Sequence, residues 1–380
     1  MTLNEKEKEL QKRIQSIGPT DKEAEAAAEA RQAQLMKVPG SLGTLEDISI
    51  RLAGITGKAT GNDLTKQCIA IFCADNGVVA EGVAVAPQEV TLKQTMNFPR
   101  RITGVSSQAS YFGIDLLVVD VGVKLPIPKE AYTDSMLDAD GKISVPIVNR
   151  RLADGTRDLA IEPAMTREQA VDAMLIGFEA ADAMAKAGIR LAGIGEMGIG
   201  NTTTSSAILC ALTGIPSDRL VGRGGGLNNE GLAAKIRIVG EAGKRCSGME
   251  PLEILRNVGG FDLAAMTAAY LGLASHHIPV VIDGFISVAA ACLAQAFNPE
   301  VTGYLFASHI STEIGYKAAI EKLGLKPMFD LGMRLGEGSG CPVAFKTIEA
   351  AGAVIDRMKT FDECALDTGY MEEVNRENFY

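Results

Sequence analysis

Two glutamates stand in settings that ordinary surface charges do not occupy. Glu337 lies between glycines in Gly336-Glu337-Gly338, and Glu196 lies inside Gly193-Ile194-Gly195-Glu196-Met197-Gly198. Glycine is costly inside helices, so Glu337 is not a helix-surface charge, and the missing side chains beside it let backbone and ligand approach its carboxylate. An exposed acidic turn is the plainer alternative. Because each glutamate follows a short apolar run, a paired acid/base site is the better reading. Beyond Glu196, the chain continues Gly198-Ile199-Gly200-Asn201-Thr202-Thr203-Thr204-Ser205-Ser206, from glycines into hydroxyls at a helix start. Free N–H groups and side-chain donors there suit one monophosphate, with an ordinary helix cap as the alternative.

The segment Gly193–Gly198 also matches G-x-G-x-x-G, the fingerprint of a dinucleotide site and hence of a dehydrogenase. Glu196 speaks against that, since it would face the pyrophosphate, and no second strand ends in an acid at the expected distance. The polar, small and apolar residues from Asp75-Asn76-Gly77 through Pro87-Gln88-Glu89-Val90 to Gln94 are expected to line a pocket. Gly222-Arg223-Gly224-Gly225-Gly226 is a flexible basic loop and weak evidence alone. The three histidines, His276, His277 and His309, form no ligand-spaced cluster, so no metal and no cofactor are expected. His276 and His277 end an Ala/Leu helix, where they suit its dipole.

These residues need a scaffold, and the texture of the chain after Gly61 supplies one. Short apolar runs alternate with Ala-rich helical segments, the βαβ pattern of a parallel α/β sheet flanked by helices. The expected strands are Cys68–Cys73, Leu116–Val121, Leu191–Ile194, Val280–Ile282, Thr302–Phe306 and Met328–Leu331. Several run directly into polar or glycine-rich strings, and in open α/β sheets ligands bind beyond the carboxyl ends of strands. Before the sheet, residues from Asn4 to Met36 read as helix broken at Gly18-Pro19, with another helix around Leu45–Ile55. Pro126–Asp158 reads as a charged, turn-rich excursion from the sheet. Gly284–Phe297 reads as a buried helix, too short to span a bilayer. The tail from Thr360 to Tyr380 is acidic and weakly patterned.

Composition narrows the function classes. The 380 residues carry 37 Lys+Arg against 47 Asp+Glu, a formal net charge of −10, with 5% aromatics and no Trp. Nucleic-acid binding needs a concentrated basic surface, so that class is excluded. Hydrophobic residues make up 47%, enough for a large core. The seven cysteines form no CxxC pair and mostly sit in apolar runs, as reduced thiols of a cytoplasmic protein do. The charged Met1–Ser16 segment has no apolar core of a secretory signal, and no membrane association is expected.

Taken in order, the strings are similar to the nicotinate-nucleotide–dimethylbenzimidazole phosphoribosyltransferase family, which makes the lower-ligand nucleotide of cobalamin. The resemblance runs from Lys37-Val38-Pro39-Gly40-Ser41-Leu42-Gly43 to about Ile355. It takes in Ala74-Asp75-Asn76-Gly77, Glu81-Gly82-Val83, Gly195 to Thr203, Val258-Gly259-Gly260-Phe261-Asp262 and Ile278 to Phe285. Ser308-His309 and Arg334-Leu335-Gly336-Glu337-Gly338-Ser339-Gly340 complete it.

The resemblance implies a Rossmann-like α/β catalytic domain over 61–340 and a homodimer. It also implies a small helical domain made from an N-terminal segment, 1–60, and a C-terminal helix and tail, 341–380. The implied substrates are nicotinate mononucleotide and 5,6-dimethylbenzimidazole or a related base. By the same resemblance, Glu337 is the catalytic base and Glu196 a second acid near the ribose. Gly198, Ile199, Gly200, Asn201, Thr202 and Thr203 form the phosphate loop, and Lys235 helps to hold the nucleotide. Gln94, Asp283, Ser311, Leu335 and Gly336 surround the base and ribose. The pattern departs at Ala86, where the family often carries a hydroxyl or an aromatic ring, and the 126–158 excursion is longer than the family implies. Other readings are a relative using a phenolic or purine base, and a non-catalytic nucleotide-binding paralogue within a hetero-dimer.

Overall fold

The computed structural model describes residues 1–366. Seven strands form one sheet: β1 Gln67–Ala74, β2 Asp115–Gly122, β3 Tyr132–Thr133, β4 Ile147–Asn149, β5 Leu191–Met197, β6 Val280–Ile282 and β7 Leu305–Ala307. Their order is β3-β4-β2-β1-β5-β6-β7, and every pairing is parallel. Strand β1 is buried along its whole length, which is why its sequence shows a continuous apolar run rather than alternation. From β1 the chain builds one half of the sheet through β2, β4 and β3. It then returns to β5 on the other side of β1 and builds the second half. The direction of winding therefore reverses between β1 and β5, the place where an open α/β sheet leaves a crevice beyond its carboxyl ends.

Helices cover both faces. The helix Phe261–Ser275 is buried except at its end and packs on Arg167–Lys186. Contact is close at Gly177, where a side chain would begin 2.0 Å from the Ala265 carbonyl oxygen. The helix Phe285–Phe297 is buried as expected. At the amino end, helices Leu3–Gln15 and Lys22–Gln34 flank the break at Gly18-Pro19, and Thr44–Thr56 follows. The last two pack with Cys341–Arg357, and Arg31 Nε donates to the Ile355 carbonyl at 2.7 Å. His276 caps Phe261–Ser275 and pairs with Asp182 at 2.8 Å. Six cysteines are buried and Cys364 is exposed, with no disulfide among the described residues.

Three expectations need correction. Met328–Leu331 is not a strand, and only Phe329 makes a parallel bridge, to His309. Pro327 lacks a ladder donor, and Leu331 already turns out to solvent. Thr302–Phe306 is extended only from Leu305, because Pro299 and the Asn298 cap start a 3₁₀ helix over Pro299–Tyr304. The 126–158 excursion is part of the sheet after all: it supplies the short strands β3 and β4 on one edge. Of the weakly patterned tail, residues 367–380 lie outside the described residues, and Asp362–Cys364 forms a 3₁₀ turn.

Candidate active site

At the carboxyl ends of the central strands opens a cavity of about 330 Å³. It is lined by Ala86, Gln94, Glu196, Gly198, Ile199, Gly200, Asn201, Thr202, Asp283, Ser311, Leu335, Gly336 and Glu337. Thr203 and Lys235 stand behind its wall. Thr203 is wholly buried, while Lys235 Nζ donates to Thr202 Oγ1 at 2.8 Å and to the Gly222 carbonyl at 3.3 Å.

Glu337 occupies a strained backbone. Its φ is 64°, between Gly336 at 85° and Gly338 at 89°. Left-handed backbone is unfavourable for a residue with a Cβ, so the flanking glycines relieve the turn and Glu337 carries the strain. The carboxylate is held from two sides. Gln94 Nε2 donates to Oε1 at 3.0 Å and the Val105 N–H donates to Oε2 at 3.1 Å. Val105 lies in the first turn of the helix Gly104–Phe112, which Thr103 caps with a capping box. A main-chain donor at the positive end of a helix thus points at the carboxylate.

Glu196, near the end of β5, joins this turn to Asn201. Its Oε1 accepts the Glu337 N–H at 3.3 Å, and its Oε2 accepts from Asn201 Nδ2. Asn201 opens the helix Asn201–Thr213, after Gly200 at φ 97°. The same amide reaches Asp262 Oδ2 at 3.4 Å. Burial pushes Glu196 up to about 7, against the pull of Asn201 and the Glu337 N–H and with a smaller push from the Glu337 charge. Burial likewise lifts Asp262 and Asp283 to about 7. These carboxyls hold protons in the folded chain that the unfolded chain releases at lower pH. Stability should therefore fall as pH rises from about 4 towards 7, the reverse of an ordinary ion-paired carboxylate. Thermal denaturation across pH 5–8 reads this trend, and Glu196→Gln should flatten it; an unchanged slope in that variant would mean that Glu196 does not titrate there.

The same cavity is also lined by a glycine loop and by a cation. The loop Gly198–Gly200 leads into the helix start, and the Ile199 N–H is anchored on Thr91 Oγ1 at 3.2 Å, which itself donates to Asp75 at 2.7 Å. Arg223 lines the cavity with its guanidinium fixed on the Leu227 carbonyl and on Asn229, each at 2.7 Å. Lys235 is 1% exposed, and burial pulls its ammonium down to about 8, while Glu313 pulls the other way. Arg334, Arg223, Glu313 and His309 also border the cavity without having been assigned roles from sequence. Arg334, the first residue of the matched string Arg334 to Gly340, makes no hydrogen bond or ion pair among the described residues. The Val105 amide has no sequence signal at all, being main chain.

The glycines of the apparent dinucleotide motif are used differently. A side chain at Gly193 would start 2.7 Å from Cys341 Sγ, and one at Gly195 would start 2.3 Å from the Glu337 carbonyl oxygen. Gly195 lets the Glu337 turn, and Gly193 the helix Cys341–Arg357, pack directly on β5, and only Gly198 of the three borders the cavity. Gly195→Ala should consequently displace the turn. A cost of about 1–3 kcal/mol in stability and a drop in turnover are expected, read by denaturation and kinetics; an unperturbed, fully active variant would mean that the turn is free to move.

Comparison with known proteins decides the family. A family model described as "Phosphoribosyltransferase" matches residues 17–366. The nicotinate-nucleotide–dimethylbenzimidazole phosphoribosyltransferase of Clostridium perfringens (strain ATCC 13124) is 47% identical over 97% of this chain and 98% of its own. The chain belongs to that family. A further family member, from Acetivibrio thermocellus, is 41% identical over 93% of this chain and 97% of its own. A crystal structure of the family member from Thermus thermophilus superimposes with a TM-score of 0.84 at 38% identity, covering 92% of this chain and all of that one. The family's α/β architecture is thus the architecture seen here.

Proposed function

We propose that the chain transfers the 5-phosphoribosyl group of nicotinate mononucleotide to 5,6-dimethylbenzimidazole or a related base, giving α-ribazole 5′-phosphate and nicotinate. The observation that carries the reading is one cavity lined both by a fixed carboxylate, Glu337, and by a helix start backed by Lys235.

The chemistry follows from the substrates. In the donor, the C1′–N bond breaks and its electron pair goes to a pyridinium nitrogen that is already cationic, so the leaving group departs without being protonated. The unprotonated azole nitrogen attacks C1′ from the opposite face, inverting β to α, and the proton on the other azole nitrogen passes to Glu337. A positioned general base contributes about 10²–10⁴-fold, and orientation of the two rings supplies much of the rest. Glu196 and Asn201, on the ribose side, are suited to its hydroxyls and to the positive charge that develops at C1′.

The test is direct: incubation with nicotinate mononucleotide and the base, with both products followed by chromatography. Equimolar nicotinate and α-ribazole phosphate are expected. Nicotinate release that does not depend on the base, or no release, would overturn the reading.

At the base end, Ala86 offers neither a hydroxyl nor a ring. With no side-chain donor to leave unpaired, apolar shape discriminates between bases, worth roughly 1–3 kcal/mol per methylene-sized difference. Benzimidazole and dimethylbenzimidazole should then be used within about two orders of magnitude in kcat/KM. Ala86→Ser should reorder the bases while leaving nucleotide KM alone. The reverse outcome, a fixed ranking with a moved nucleotide KM, would take Ala86 out of the base pocket.

The reading extends to a homodimer. Val85, Ile310, Ile314, Leu331 and Leu335 are each at least 45% exposed, and each lines the cavity or lies within a few residues of one that does. An apolar rim of this kind marks an interaction surface. Light scattering should give twice the chain mass; a monomer, or a dimer only with a paralogue, would count against it. The buried reduced thiols support a cytoplasmic setting, and no helix among the described residues is long and apolar enough to cross a membrane.

A further inference from the structure

We propose that Asp283 is a positioning residue that holds the Glu337 turn, rather than a group that binds the base or the ribose. The inference rests on the reading of Glu337 as the base. Asp283 follows β6, is 2% exposed and has both carboxylate oxygens committed to main-chain donors of that turn. Oδ2 accepts the Gly338 N–H at 3.0 Å and Oδ1 accepts the Gly340 N–H at 2.7 Å. From the neighbouring strand, Glu196 Oε1 accepts the Glu337 N–H. The amides of residues 337, 338 and 340 are thereby gripped by carboxylates carried on two adjacent strands.

The grip answers a physical need. Gly336, Glu337 and Gly338 all have positive φ, and a side-chain-bearing residue persists there only when its surroundings over-determine it. Free main-chain N–H groups in such a turn are donors that a buried acceptor can fix. Asp283 is fixed in turn: Ser308 Oγ donates to its carbonyl at 3.1 Å and lies 2.9 Å from His309 Nδ1, which is 3.8 Å from Asp283 Oδ1. At Gly340 a side chain would start 2.4 Å from His309 Nδ1 and 2.8 Å from Asp283 Oδ1. The turn is closed on its far side, so its freedom is set by Asp283. Although Asp283 borders the cavity, its strong acceptor directions point into the protein.

A double-mutant cycle tests this, with kcat for the complete reaction and calorimetric Kd for nicotinate mononucleotide as readouts. Asp283→Asn places an amide donor against a main-chain donor and loosens the turn. Expected is a fall in kcat of about 10–100-fold, as for other groups that orient a reacting residue, with Kd changed by less than about twofold. In a Glu337→Gln background, Asp283→Asn should cost at most about a further twofold, because no base remains to be positioned. Additive losses, or a Kd weakened about tenfold, would show that Asp283 acts on substrate directly and would overturn the proposal. Ser308→Ala, a milder loosening of the same support, should show the same non-additivity if Asp283→Asn does not fold, and additive losses there overturn it equally. A Glu337→Gln enzyme with wild-type turnover would instead sink the reading of Glu337 as the base.

Discussion

Glu337→Gln is expected to bind nicotinate mononucleotide normally and to lose at least about 10²-fold in kcat. The substitution is close to isosteric, and the left-handed backbone at residue 337 is held by main-chain bonds to Glu196 and Asp283, none of which involves the Glu337 side chain. One amide oxygen can still accept from Gln94 or from the Val105 N–H, so the side chain stays near its place. What disappears is the ability to take the N–H proton from one azole nitrogen as the other, unprotonated nitrogen attacks. The Gly198–Thr202 loop is untouched. Calorimetry should therefore find an unchanged nucleotide Kd while rapid-quench kinetics finds the slow step in chemistry. A variant that turns over within a few-fold of the parent would place the base elsewhere in the cavity, with Glu196 the next carboxylate to test.

How far this site can be read from sequence depends on whether a feature lives in side chains or in tertiary contacts of the main chain. β1, β2, β5 and β6 announce themselves because strands buried on both faces need continuous apolar runs, and the glycine-flanked glutamates stand out against such runs. The helix start at Asn201 is legible for the same reason, as glycines yielding to hydroxyls.

By contrast, β3 and β4 have two and three residues each, too few for any period to show. Gly193 and Gly195 match a phosphate-binding fingerprint, yet their missing side chains make room for Cys341 and for the Glu337 carbonyl. A local pattern cannot distinguish the approach of a ligand from that of another chain segment. Two of the clamps on Glu337, the Val105 N–H across 232 positions and the Glu196 bond across 141, leave no mark on composition or spacing. Asp283 is visible as a strand-end acid, but its partners are the amides of Gly338 and Gly340, and amides are the same in every sequence.

Removing the 5′-phosphate from the donor should weaken binding by about 10²–10³-fold. Hydrogen bonds to a charged group contribute about 1.5–3 kcal/mol each, and a helix N-terminus adds up to ~2 kcal/mol in a partly buried setting. Two such interactions reach about 3–4 kcal/mol, and each 1.4 kcal/mol is about tenfold. In the proposed reading the Gly198–Thr202 loop and Arg223 supply the donors, and Lys235, whose Nζ donates to Thr202 Oγ1, supplies charge from behind. That ammonium makes the effect depend on pH. Burial has lowered Lys235 to about 8, so it is mostly charged at neutral pH and loses its proton as pH rises through 8. The KM for nicotinate mononucleotide should accordingly climb above pH 8, whereas binding of the riboside should not respond. Lys235→Met keeps the apolar stem and removes the charge; it should raise the mononucleotide KM at pH 7 about tenfold and abolish the climb. The measurement is KM for the mononucleotide between pH 6.5 and 9.5 in both proteins, with calorimetric titration of mononucleotide and riboside at pH 7. Equal affinities for the two ligands, together with a flat KM in the parent, would put the phosphate somewhere other than the start of the helix Asn201–Thr213.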